Sequence, residues 1–134
     1  MADLLTHYVS ARLPGSFLGD PCARATLALG VFLPDLIGKP MEAVNGMPFL
    51  ASAPSHSALG AFFVAWALAM LFAEPFRFKA FATMFAGQLI HIALDLGKDS
   101  LGLGSAFVLL PFSTATHDFG LYTSQDVLDR KSVV

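Results

Sequence analysis

The chain has 134 residues, of which 55% are hydrophobic and only 13% are charged, with a net charge of −2. This length suits one domain, so we expect a single α-helical domain over residues 1–122 and a polar tail over residues 123–134. The lack of a basic run excludes a nucleic-acid surface. The single cysteine, Cys22, excludes an intrachain disulfide and a zinc cluster built from thiolates.

Proline and glycine positions divide the first half of the chain. A first helix is predicted over residues 3–13 and is ended by Pro14 and Gly15. A second helix is predicted over residues 21–33, because Pro21 suits a first turn and Pro34 disfavours continuation; Asp35 then lies just past its end. Residues 38–55 contain three prolines and two glycines and predict a loop with room for one helical turn.

The second half is more apolar. A third helix is predicted over residues 57–73, a stretch of 17 residues without a charge, which is near the lower limit for crossing a bilayer. A fourth is predicted over residues 78–96, with Gly97 as its C-terminal stop. Residues 1–16 have no basic region before an apolar core, so we expect no cleavable signal peptide and an attachment to the membrane through the internal helices.

Polar residues are predicted to converge at one end of this helical bundle. A short turn joins the third and fourth helices, which should therefore form an antiparallel hairpin. His56 precedes the third helix, while His91 and Asp95 occupy the last two turns of the fourth, so the three meet at one end. Asp35 reaches the same level if the second helix packs alongside, and His7 can join from the first helix.

Such a cluster predicts a binding site for a divalent metal, most simply zinc, that holds either one ion or two. Ionised carboxylates are costly in an apolar interior unless they are paired or bound to a cation, and Lys39 and Lys98 are the only basic residues nearby. A histidine and an aspartate four residues apart on a helix can bind one cation, although a lone buried histidine is more often a core residue. The predicted ligands are His7, Asp35, His56, His91 and Asp95.

Five fragments in order, "ADLLTH", "LPDL", "SHS", "HIALD" and "LLPFS", carry a family resemblance over residues 1–120. The pattern resembles membrane-associated metal-dependent hydrolases described as LexA-binding, inner-membrane-associated hydrolases, and more distantly the zinc-dependent phospholipase C family. The resemblance implies an all-α, phospholipase C-like fold of about four to five helices, a location at the inner (cytoplasmic) membrane, and an Asp95 that bridges two ions. Phospholipase C enzymes carry further histidines and a glutamate, for which this chain offers only His117 and Asp118.

These features together predict a metal-dependent hydrolase of a phosphoester, either a small molecule or a lipid-linked one, that works beside membrane lipid. Asp35 is predicted to act as ligand and general base, and His117 or Asp118 as the acid for the leaving group. Ser57 is predicted to cap the third helix rather than act as a nucleophile. Two alternatives remain: a non-catalytic membrane protein with a structural metal or polar cluster, and a regulatory protein that binds a partner of unknown identity.

Overall fold

The computed structural model describes residues 3–45, 55–97 and 111–112, with side chains for residues 7–40, 43–44, 55–97 and 111–112. Four helices account for nearly all of these residues, and the described part of the chain contains no strand. In chain order the helices are α1 (Asp3–Ser16), α2 (Pro21–Asn45), α3 (Ala58–Ala69) and α4 (Glu74–Gly97). The predicted all-α class is therefore confirmed.

The helices alternate in direction, so that α2 and α4 run parallel and α1 and α3 run the other way. Two contacts fix the parallel pair at its start: Lys79 Nζ lies 3.0 Å from Asp20 Oδ2, and the hydroxyls of Thr26 and Thr83 lie 2.6 Å apart. Helix α4 packs against all three other helices and most extensively against α2. The histidine and aspartate side chains of the candidate site lie at the opposite end of this helix pair.

Two glycines allow α2 and α4 to touch backbone to backbone. A Cβ atom on Gly30 would lie 2.2 Å from the carbonyl oxygen of Met84, and one on Gly87 would lie 2.3 Å from that of Leu27. Neither approach leaves room for a methyl group, so glycine is required at both positions. This crossing sets the register in which Asp35, five residues after Gly30, meets the last turns of α4.

Small residues bring α3 equally close to the bundle. Ala61, Ala65 and Ala69 recur every four residues along α3 and are almost wholly buried. That spacing places them on one face of the helix. Ala65 and Ala69 belong to an apolar cluster with Leu33, Ala80 and Met84.

The predicted ends of the first two helices are wrong, because α1 continues through Pro14 to Ser16 and α2 also continues through two prolines. Helix α2 passes through Pro34 and Pro40 and ends at Asn45, so Asp35 lies inside the helix and residues 38–45 of the predicted loop are helical. An internal proline lacks the amide hydrogen and costs about 3 kcal/mol in an isolated helix. Pro34 is buried beside Val31 and Leu33 in the bundle core, and that packing offsets the cost.

Helix α3 is shorter than predicted, and α4 starts earlier. The amides of Met70, Leu71 and Phe72 bond to carbonyls three residues back, which tightens the chain into a turn and ends α3 at Ala69. Helix α4 then begins at Glu74, with Pro75 in its first turn, where proline is well tolerated. The antiparallel hairpin is present, but α3 has 12 residues and is too short to span a bilayer.

Two other helices are long and apolar enough to cross a membrane. They are the stretch Pro21–Pro40 of α2, with 44% of its most apolar window buried, and α4 over Glu74–Gly97, with 39% buried. Length and composition do not separate a spanning helix from the core helix of a soluble bundle. Other predicted features lie outside the described residues, namely most of residues 101–116, His117, Asp118 and the tail over residues 123–134.

Candidate metal centre

Four segments bring histidine and aspartate side chains together at one end of the bundle. His91 and Asp95 lie one turn apart on α4, and Asp35 lies on the parallel helix α2. His56 precedes Ser57, whose side chain accepts a hydrogen bond from the amide of Gly60 and caps α3. The predicted capping role of Ser57 is confirmed, and the cap fixes the backbone that presents His56.

Four donor atoms face one another across a short gap. His91 Nε2 lies 3.0 Å from Asp95 Oδ2 and 3.3 Å from His56 Nε2. His56 Nε2 lies 3.6 Å from Asp95 Oδ2. Asp35 Oδ1 lies 3.9 Å from His56 Nε2 and 4.0 Å from His91 Nε2. We call these four residues the four-donor cluster.

The spacing of the four-donor cluster fits a metal ion. Zinc binds histidine nitrogen and carboxylate oxygen at about 2.0–2.2 Å in tetrahedral sites, so two ligand atoms on one ion lie roughly 3.3 Å apart. Five of the six separations among these donor atoms run from 3.0 to 4.0 Å and bracket that value. Asp35, His56 and His91 therefore form one group that could hold a metal ion.

His7 extends the cluster on the far side of Asp95. Its Nε2 lies 3.9 Å from Asp95 Oδ1, the oxygen that does not face His56, and its ring packs on the ring of His91 with centroids 4.3 Å apart. His7, His91 and Asp95 form a second group that could hold an ion. The two groups share His91, and Asp95 turns one carboxylate oxygen toward each side.

Burial differs across the cluster and shows which side faces solvent. The side chains of His91 and His7 are 1% and 5% exposed, and that of Asp95 is 17% exposed. Asp35 is 29% exposed, and Lys39, whose Nζ lies 2.7 Å from Asp35 Oδ2, is 63% exposed. The opening of the site therefore lies on the side of Asp35 and Lys39.

Two neighbouring residues hold the ligand side chains in place. Ser55 is buried, and its hydroxyl hydrogen bonds with His56 Nδ1 at 3.1 Å, which turns the Nε2 atom of that ring toward the cluster. Lys39 binds one oxygen of Asp35 and leaves the other toward the imidazoles. Lys39 is one of the two basic residues that the sequence placed near the site, and it supplies a cation for Asp35.

Asp95 stays ionised within this partly buried site. Burial raises the pKa of its carboxyl group, but the hydrogen bond from His91 and the charges of His91, His56 and His7 outweigh burial and leave the pKa below its usual value. The carboxylate is thus available as an anionic donor at neutral pH.

Gln88 is a polar residue near the site that the sequence prediction did not assign. It lies one turn before His91 on α4 and is 1% exposed. Its Nε2 atom and the Nδ1 atom of His91 have no hydrogen-bond partner among the described residues. Gln88 could have been assigned to the site from the sequence, because a glutamine three residues before a histidine in an apolar helix lies on the same face as that histidine.

The structure brings all five predicted metal ligands together: His7, Asp35, His56, His91 and Asp95. The predicted acids His117 and Asp118 lie outside the described residues. The chain matches no protein-family model, no curated relative and no solved structure. Function therefore has to be argued from the site.

Proposed function

We propose that the protein is a metal-dependent hydrolase of phosphoesters that works beside a membrane. The observation that carries the proposal is the geometry of the four-donor cluster. Donor atoms of His91, His56 and Asp95 lie 3.0–3.6 Å apart, close to the roughly 3.3 Å between two ligands of one tetrahedral zinc ion. These three ligands would leave the fourth position for water, beside Asp35. Two neutral donors and two carboxylates also match zinc in ligand type and balance its charge. Zinc remains the first metal to test.

A bound divalent ion would supply Lewis acidity and would activate water at neutral pH. His56 and His91 would hold it, with their rings fixed by Ser55 and by packing against His7. Asp95 would bind on the buried side of the site, away from the opening at Asp35 and Lys39. The oxygen of Asp95 that faces His7 provides a place for a second ion.

Asp35 and Lys39 suit the handling of substrate at the open side of the site. Lys39 is largely exposed and carries the charge that attracts a phosphoester anion. Asp35 Oδ1 lies within the cluster and partly faces solvent, so it can take the proton from an attacking water. When Lys39 turns to the substrate, it releases Asp35 for that role.

The membrane part of the proposal is supported by the outward face of α3. Phe63 and Trp66 are 55% and 51% exposed, and Phe62 and Met70 are 40% and 44% exposed. Large apolar side chains on one helix face favour contact with lipid at the membrane surface. A lipid-linked phosphoester would then reach the site from the same surface.

Turnover by metal-restored protein tests the catalytic proposal. Protein stripped with EDTA should hydrolyse bis-p-nitrophenyl phosphate or p-nitrophenyl phosphate only after Zn²⁺ is added back. Asp95→Asn should lower kcat/KM by at least about 100-fold, because removal of a metal-binding carboxylate weakens metal binding and thereby lowers activity. Asp20→Asn, an identical change at the other end of α2, should keep full turnover.

A polar packing cluster without catalysis is the competing function, and the pairing of Asp35 with Lys39 and of Asp95 with His91 favours it. It would be supported by folded wild-type protein that binds zinc and hydrolyses neither substrate. Turnover that survives in Asp95→Asn would also contradict the hydrolase proposal. Circular dichroism spectra of each variant show whether the helices are retained.

A further inference from the structure

A second feature of the bundle, away from the metal ligands, is a cleft between α1 and α2. It has a volume of about 690 Å³, within the range of about 300–1,000 Å³ that is usual for small-molecule sites. From α1 its lining runs from Tyr8 to Ser16, and from α2 it runs from Arg24 to Phe32. Each stretch covers roughly 12 Å of helix.

The cleft is lined mainly by apolar atoms but carries two cations. Its apolar lining includes Val9, Leu13 and Phe32, and Arg12 and Arg24 are the only charged side chains among the described residues that line it. Both arginines are exposed, and among the described residues neither forms an ion pair with a carboxylate. Two unpaired guanidinium groups in a chain of net charge −2 make this cleft a local positive site.

Arg24 lies at one end of the cleft and Arg12 near its middle, and the other end carries no arginine. Arg24 packs beside Gly15, near the turn between α1 and α2, and Arg12 lies one helical turn before Ser16. Val9 and Phe32 lie at the other end, which is nearer to the metal ligands on the same helices. A ligand that matches this order has an anionic head and an apolar tail.

We propose that the α1–α2 cleft binds a single-chain amphiphile with an anionic headgroup, which the guanidinium groups of Arg12 and Arg24 contact while the chain lies along Val9 and Phe32. Arginine suits this task because its planar fork binds phosphate or carboxylate oxygens through paired hydrogen bonds. The apolar lining supplies the affinity for the chain. Neither arginine belongs to the four-donor cluster, so this binding does not depend on a metal.

Isothermal titration calorimetry below micelle concentrations tests the proposal with three probes. Dodecyl phosphate carries both head and chain, dodecyl maltoside carries the chain with a neutral head, and inorganic phosphate carries the head alone. We expect dodecyl phosphate to bind one to one, and at least about tenfold more tightly than either other probe. The affinity should be the same in EDTA, which separates this result from the metal-dependent function.

Variants locate the binding within the molecule. Arg12→Gln and Arg24→Gln should each weaken dodecyl phosphate by about tenfold, and Ala28→Phe should block the cleft. Arg77→Gln on α4 removes the same charge outside the cleft and should bind as the wild type does. Equal affinity for dodecyl maltoside, or unchanged affinity in both Arg12→Gln and Arg24→Gln, would overturn the proposal.

Discussion

Asp20 links the start of α2 to α4 and provides a test at the scale of one side chain. Its Oδ2 accepts a hydrogen bond from Lys79 Nζ at 3.0 Å, and its Oδ1 accepts one from the amide of Cys22 at 2.9 Å. The bond with Lys79 is the larger cause, and together they lower the pKa of Asp20 below 3.8. Both favour the ionised carboxylate of the folded state.

The stability that this pair contributes should depend on pH in one direction. Because the folded pKa is lowered, the contribution is fully present above pH 3.8 and is lost as pH falls through the folded pKa. Asp20→Asn keeps the helix cap but removes the charge. Urea unfolding of both proteins should show a difference in free energy at neutral pH that shrinks in acid; a constant difference would contradict the pairing.

The residues of the candidate site were largely predictable from sequence. His91 and Asp95 are four apart on a helix, and His56 lies across a hairpin whose short turn is visible in the chain. Asp35 was placed at the correct level although its helix was predicted to end at residue 33 rather than at Asn45, because the level depends on chain direction and not on where the helix ends. The role of Ser55 depends on a side-chain contact that sequence alone does not supply.

The existence of the four helices was predicted better than their boundaries. Prolines account for the main errors, because a proline does not always end a helix. Local preference ends a helix before Pro34, but burial of that residue in the bundle sustains α2 through it. Pro75, in contrast, lies in the first turn of α4, which needs no amide donor, although the fourth helix was predicted to start only at residue 78. Tertiary packing decided the first case and local geometry the second.

The crossing of α2 and α4 makes a prediction at the scale of helices. Gly30→Ala and Gly87→Ala each place a methyl group against the backbone of the other helix, so each should lower the free energy of unfolding by about 1–3 kcal/mol or more. Denaturant unfolding gives the values.

Gly15→Ala is the matched control for this crossing. Gly15 is also helical, and a Cβ there would meet Leu27 only at an ordinary 3.7 Å. The change should therefore be neutral or should stabilise the protein, since alanine favours helix. Equal losses in all three variants would show that helix preference, rather than a close crossing, sets the cost.

The whole bundle combines a buried polar end with an exposed apolar face on α3. The parallel placement of α2 and α4 follows from the sequence only because successive helices joined by turns alternate in direction. The sequence does not show how closely the two helices approach each other. That distance depends on which glycines face each other after folding, and Gly30 and Gly87 are 57 positions apart in the chain. Long-range register of this kind is not encoded in local patterns.

The proposed membrane contact through α3 concerns the whole molecule and can be tested by substitution. Trp66→Glu places a charge on the exposed apolar face and should move the protein from the membrane fraction of cells toward the soluble fraction. Trp66→Phe keeps an apolar ring and should remain with the membrane. If both variants fractionate as the wild type does, α3 is not the membrane-binding surface.

We propose that imidazole and carboxylate groups from separate helices bind a divalent metal at one end of the bundle. Zinc content measured by mass spectrometry on purified, desalted protein tests it most directly. We expect one zinc ion per chain, or two if Asp95 bridges to His7, with loss of zinc in His56→Ala and Asp95→Asn and full zinc in Asp20→Asn. Metal-free wild-type protein that stays metal-free after incubation with Zn²⁺ would contradict the account.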